Sequence, residues 1–201
     1  MRSLPKAILE RSQTLTEGGV LAPKEFLHLG SRAAVDQAFC RLVKSGHLLR
    51  IARGIYSTPV RVRETLRAPS AESVVQAIGA QGNQIVVANG AHAATSLGLA
   101  KATQDTEEYL TTGRGKQLDV GGQIVGLKHA PYWMFSLGST PAGNAVRAMA
   151  WLGEEQADRA SKALRKKLAK DQWDSLTAVR ASLPSWMATA IGKASVRHEM
   201  P

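Results

Sequence analysis

Residues 31–59, SRAAVDQAFCRLVKSGHLLRIARGIYSTP, constrain this chain more than any other stretch, because an amphipathic helix runs straight into a short arginine-bearing hairpin. Val35, Ala38, Phe39, Leu42 and Val43 recur at i, i+3, i+4, i+7 and i+8, which puts one apolar face on a helix. Ser31 is a good N-cap and Gly46 a good stop. The opposite stripe carries Ala33, Asp36, Gln37, Cys40, Arg41 and Lys44. Cys40 apart, these residues are small or carry hydrogen-bonding groups, so the stripe can enter a groove about 12 Å wide and meet base edges. Upstream, Pro23 can open a short helix carrying Phe26, Leu27 and Leu29, and Gly30 turns it into the longer one. Downstream, Leu48, Leu49 and Ile51 lead through Arg53-Gly54 to Ile55 and Tyr56, two short strands around a glycine turn. Helix, tight turn, helix and basic hairpin follow in the order of a winged helix-turn-helix. The surface offered to a duplex runs from Ser31 and Arg32 through Ala33, Asp36, Gln37 and Arg41 to Lys44, with Arg50 and Arg53 on the wing. A merely solvated helix face can hold the same mixture of residues, so the weight lies on the order of elements.

Charge points the same way. The formal net charge is +10 and suits a polyanionic partner. Residues 1–67 hold 12 basic and 5 acidic residues, net +7, whereas residues 68–201 hold 14 and 11, net +3. Contacts from the first third to phosphates would make binding fall steeply with salt, by a log-log slope of about 0.9 per neutralised phosphate.

The predicted fold is α+β: a winged helix-turn-helix over residues 1–60, then a mixed domain over 61–201 with a helical tail from about 141. A first helix from Leu4 to Leu15, with Pro5 in its first turn, turns Leu4, Ala7, Ile8 and Leu15 inward. The charged stretch between Pro59 and Pro69 reads as a linker or a strand crossing between domains. A helix from Ala71 to Ala80 follows, capped by Ser70 and burying Val74, Val75 and Ile78. Strands are expected at 84–88 and 108–112, then a hairpin of 117–120 with 123–128 around Gly121-Gly122. The tail takes its apolar positions from Met149, Leu152, Leu164, Leu168, Trp173, Leu176, Val179, Trp186 and Ile191, interrupted by Gly153 and Pro184.

Catalytic patterns are weak. The five histidines form no HExxH and no Cys/His ligand spacing. No GxSxG elbow is present. Gly113-Arg114-Gly115-Lys116 resembles the end of a phosphate cradle, but Leu110 stands where a P-loop needs glycine, and Gln117 where it needs Ser or Thr. Asp119 followed by Gly126-Leu127-Lys128 lacks the second carboxylate that a metal nuclease needs. We therefore expect a non-enzyme without metal or cofactor. Cys40, the single cysteine, cannot form an intrachain disulfide. That fits a reducing compartment, and with no apolar run of membrane length the expected location is the cytoplasm.

The segment GGVLAPKEFLHLGSRAAVDQAFCRLVKSGHLLRIARGIYSTP, residues 18–59, resembles the N-terminal winged helix of AbiEi-type antitoxins. The likeness lies in its apolar positions, in Gly46 and in Arg53-Gly54-Ile55-Tyr56. It continues more weakly through ANGAHAATSLGL at 88–99, TTGRGKQL at 111–118 and LPSWM at 183–187, and so touches nearly the whole chain. It implies a bacterial antitoxin of a type IV toxin-antitoxin system beside a nucleotidyltransferase-like toxin. In that family the winged helix binds inverted repeats in its own promoter and represses the operon, while the C-terminal domain counters the toxin without requiring a stable complex. Carried over, operator contacts fall on Arg32, Ala33, Asp36, Gln37 and Arg41, with Arg50 and Arg53 on phosphates or in the minor groove. Inverted repeats suit a dimer or two monomers side by side. Arg114, Lys116, Arg165, Lys166 and Lys167 are candidates for meeting the toxin or an RNA, against the plainer reading of a solvated turn and helix face. Two alternatives remain open: a nucleic-acid-processing or RNA-binding protein that uses the winged helix for targeting, and a plain transcriptional regulator of a mobile element.

Overall fold

The computed structural model describes residues 3–101 and 107–196. The fold is α+β. In chain order the elements are α1 (Leu4–Gln13), β1 (Val20–Leu21), α2 (Arg32–Lys44), β2 (Leu49–Ala52), β3 (Ile55–Ser57), β4 (Val60–Val62) and β5 (Thr65–Arg67). Then come α3 (Ala71–Gln81), β6 (Val86–Ala88), α4 (Gly90–Ser96), β7 (Glu108–Thr111), β8 (Lys116–Val120) and β9 (Gln123–His129). The chain ends in α5 (Pro141–Leu152), α6 (Ala157–Lys167), α7 (Lys170–Ala178) and α8 (Ser185–Val196). Short 3-10 turns stand at Pro23–Phe26, Tyr132–Phe135, Glu154–Gln156 and Arg180–Ser182. Contacts divide the chain into two compact units, one running to Val86 and including Gly113–Lys128, the other taking Val87–Thr112 and the chain from His129 onward.

In the first unit, α1, β1, the Pro23–Phe26 turn, α2, β2 and β3 follow in an order compatible with a winged helix-turn-helix. The period seen in α2 is realised: Val35, Ala38, Phe39 and Leu42 are buried and join Ile8, Leu21, Phe26 and Leu48 in one core. Phe39 is fully buried, its ring 5.6 Å from Phe26 edge-on and 4.6 Å from Tyr56, so it touches the first turn of the motif and the wing at once. Ser31 caps α2 by accepting the Ala34 N–H at 3.3 Å. At the other end Gly46, at φ +75°, lets the chain reverse while the N–H of His47 donates to Leu42 O. β3 lies between β1 and β2. Arg50 pairs with Tyr56 but Ala52 pairs with Ile55, so Ile51 is an extra residue in β2 and its side chain is buried.

The proline-flanked stretch at 59–69 corrects the linker expectation: it is a hairpin inside the first unit, β4 against β5 with Arg61 opposite Leu66. Its root is fixed by Glu17, whose carboxylate accepts two hydrogen bonds from Arg67 at 3.0 and 3.3 Å and one from the Ser70 N–H at 3.2 Å. Ser70 caps α3, which buries Val74, Val75 and Ile78 as expected. Glu25 ties the Pro23–Phe26 turn to α3, accepting from the Ala22 N–H at 2.7 Å and from Gln81 Nε2 at 3.0 Å. β8 and β9 form the expected hairpin, Val120 opposite Gln123, and Gly121 and Gly122 both have positive φ, which a two-residue reversal of this type demands. Asp119 accepts the Gly122 N–H at 2.7 Å, so the carboxylate weighed as a metal ligand holds this turn. β8 packs against β2.

In the second unit the helical tail begins at Pro141, as expected, with Thr140 as cap. Its core joins Val146, Met149, Leu164, Trp173, Leu176, Met187 and Ile191. Helix α4 is additional. It is capped by Asn89 and packs on α5 through Ala93, Ala94 and Ala148, all fully buried. Gly90 makes this packing possible, because a side chain there would lie 2.5 Å from Trp151 Cβ and 2.6 Å from Arg147 O. Arg147 is 1% exposed and has no carboxylate partner among the described residues. Its guanidinium donates to Met134 O, Gly138 O and Asn144 Oδ1, and burial pushes its pKa down to about 10, still charged at neutral pH. Three other boundaries move: α1 ends at Gln13 rather than Leu15, and the strands expected at 84–88 and 108–112 shorten to Val86–Ala88 and Glu108–Thr111.

Candidate nucleic-acid interface

Helix α2 presents its polar side to solvent along its whole length. Ser31, Arg32, Ala33, Asp36, Gln37, Cys40, Arg41 and Lys44 are all exposed, as are Arg50 on β2 and Arg53 at the wing turn. Arg41, Lys44, Arg50 and Arg53 have no partner among the described residues, so nothing within the chain competes for their donors. Gly54, at φ +73°, closes the wing turn and leaves Arg53 at its tip.

Three of the expected contact residues, Ser31, Arg32 and Asp36, are engaged already. The Ser31 hydroxyl is committed to the cap, so it is a structural residue first. Arg32 Nε donates to both oxygens of Asp36, at 3.1 and 2.9 Å, one turn along the same face. Such an exposed pair adds only about 0.3–0.5 kcal/mol to stability. Its geometric effect is larger, because a guanidinium held at Nε keeps its two terminal nitrogens free to act as a fork. Asp36 thus orients Arg32 and is itself a poor neighbour for a phosphate.

The other expected basic residues divide between the units. Lys116, at the start of β8, joins Arg32, Lys24 and Gly54 in lining one cavity of about 310 Å³ in the first unit. Arg114 is exposed near it in sequence. Arg165, Lys166 and Lys167 lie on α6 in the second unit, and two of the three are engaged within the chain. Arg165 is half-buried, with its guanidinium 5.4 Å from the Trp173 ring centre. Lys167 donates to Leu97 O and Gly98 O at 2.8 and 2.9 Å, satisfying carbonyls at the end of α4. Only Lys166 of the three is exposed and unengaged among the described residues.

Sequence reasoning passed over Lys24 and the arginines of the β4–β5 hairpin. Arg61 and Arg63 are exposed there, beside exposed Val62 and Leu66, while Arg67 is held by Glu17. Alternation in VRVRETLR was the available signal, masked by the prolines on either side. The Arg67 hydrogen bonds, helped by the Ser70 N–H, hold the Glu17 carboxyl below the usual glutamate range. Among the described residues no three His, Cys, Asp or Glu side chains gather as a metal site. None of their helices is long and apolar enough to cross a membrane.

The fold and this surface define an α+β protein whose first unit is compatible with a winged helix-turn-helix carrying an open basic face. The chain belongs to the family of unknown function DUF6088, whose profile matches residues 7–176. Neither a curated protein nor a solved structure matches it.

Proposed function

We propose that the protein is a sequence-specific DNA-binding regulator that reads its site with α2 and grips the flanking backbone with the β2–β3 wing. The observation that carries this reading is the uninterrupted exposed face of α2, with Arg41 and Lys44 unpaired among the described residues and Arg32 oriented by Asp36, followed by a wing with Arg53 at its tip. A helix of this kind supplies base-edge donors from Arg32, Gln37 and Arg41, and phosphate contacts from Lys44, Arg50 and Arg53. The likeness to AbiEi-type antitoxins extends the proposal: the regulated operon is the protein's own, the site an inverted repeat in its promoter, and the partner gene a nucleotidyltransferase-like toxin that the protein counters. A cytoplasmic location goes with that reading.

The test is a gel shift of the full chain on the 200 base pairs upstream of its gene, with unrelated competitor DNA and a salt series. The expected result is a shift at physiological salt that competitor does not remove. Arg41→Ala should lose about 1–3 kcal/mol on the operator and relax one base position, whereas Arg53→Ala should weaken all sequences alike and lower the salt slope by about 0.9. A weak shift equal for all DNA would refute the reading. Antitoxin function is tested separately, by rescue of growth on co-expression with the neighbouring toxin gene.

A further inference from the structure

The cavity that Arg32 lines at the N-terminal end of α2 is distinct from the exposed helix face that a duplex would meet. Its volume, about 310 Å³, falls at the lower end for small-molecule sites, which run from roughly 300 to 1,000 Å³. Lys24, Arg32 and Lys116 supply three cations to its wall, and no carboxylate lines it. Lys24 and Lys116 have no partner among the described residues, and Arg32 keeps its terminal nitrogens free. Ala22, Pro23 and Ile78 are buried residues of the same lining and give it an apolar part. Gln81 and Gln84 add carboxamides. Gln81 is held through Nε2 by Glu25, which leaves its carbonyl oxygen as an acceptor.

From this combination we propose that the cavity is a site for a small organic anion of the nucleoside monophosphate class. The phosphate would lie among Lys24, Arg32 and Lys116, and the flat base against the apolar lining within reach of the two carboxamides. A bare phosphate leaves that apolar lining unused, and a duplex phosphate cannot fill a concave space of this size. Arg32 belongs both to this cavity and to the exposed face of α2. Occupation therefore draws Arg32 toward the ligand and sets a dianion at the edge of the DNA-binding face, which releases the operator. This regulatory half rests on the DNA-binding reading, whereas the site itself does not.

The experiment is isothermal titration calorimetry of the full chain with the four ribonucleoside 5′-monophosphates, without DNA, and with inorganic phosphate and free nucleosides as controls. At least one monophosphate should bind saturably and at least tenfold more tightly than phosphate or its own nucleoside. Lys24→Gln with Lys116→Gln should weaken it tenfold or more. The charge-matched pair Lys162→Gln with Lys170→Gln, on exposed positions of α6 and α7, should change it less than twofold. Lys24→Gln alone, at an exposed position, should act in the same direction if the double variant unfolds. No saturable binding, equal binding of inorganic phosphate, or an equal loss in both double variants would overturn the site. The regulatory half is read by adding the bound monophosphate to a shifted operator complex: release supports it and an unchanged shift refutes it.

Discussion

Phe39→Ala gives the sharpest measure of how α2 is held. Phe39 is completely buried and its ring meets Phe26 and Tyr56 at 5.6 and 4.6 Å, so truncation removes contacts to the first turn of the motif and to the wing together. Loss of a buried phenyl group costs about 3–5 kcal/mol. At about 1.4 kcal/mol per factor of ten, amide protection should fall by roughly two to four decades in a unit that opens as a whole. The assay is hydrogen exchange followed by mass spectrometry, comparing peptides from 32–44 and 49–57 with one from 157–167. Tryptophan fluorescence serves poorly, because Trp133, Trp151, Trp173 and Trp186 all lie in the second unit. Phe39→Leu keeps most of the volume and should lose clearly less. Unchanged protection of 32–44 in Phe39→Ala would refute the assignment of this face to the core.

Other perturbations separate roles that look alike on paper. Asp36→Ala should cost only about 0.3–0.5 kcal/mol of stability yet raise affinity for random DNA and lower operator discrimination, because it removes a repulsive charge and frees Arg32; equal gains on both DNAs in filter binding would make Asp36 a repulsive charge only. Glu17 holds the root of β4–β5, and its carboxyl is depressed by Arg67, so its contribution is complete at neutral pH and is lost as pH falls below the ordinary glutamate value. Urea unfolding of Glu17→Gln should accordingly show a smaller loss of stability on acidification than wild type. Gly90→Ala should destabilise the second unit by about 1–3 kcal/mol through overlap with Trp151 and Arg147, seen as an earlier tryptophan unfolding transition.

Much of the first unit was legible because its signals are local. The α2 period, the Ser31 and Ser70 caps, and the Gly46, Gly54 and Gly121-Gly122 turns depend on neighbours within a few residues, and each stands where expected. Helix α4 was not legible: it has seven residues, its buried side chains are alanines, and its stability comes from contact with α5 rather than from an apolar stripe. The β4–β5 hairpin was hidden for a related reason. Its exposed residues leave little burial pattern, and the Glu17 partner that anchors it lies fifty residues before Arg67. At the candidate site, residue types could be chosen from sequence, but their availability could not. Ser31 is spent on a cap, Lys167 on carbonyls of Leu97 and Gly98, and Arg165 lies over Trp173, none of which composition reports. Lys116 and Arg32 line one cavity although 84 positions apart, a juxtaposition only the fold creates.

The return of residues 113–128 to the first unit also governs how that unit can be made. β8 follows the end of β3 by 58 residues, so α2 and the β2–β3 hairpin wait for a partner strand while residues 58–115 are synthesised. Excising the motif at residue 60 would strip β2 of the strand that packs against it. A test of α2 apart from the second unit therefore calls for splicing two segments, or for keeping the chain whole.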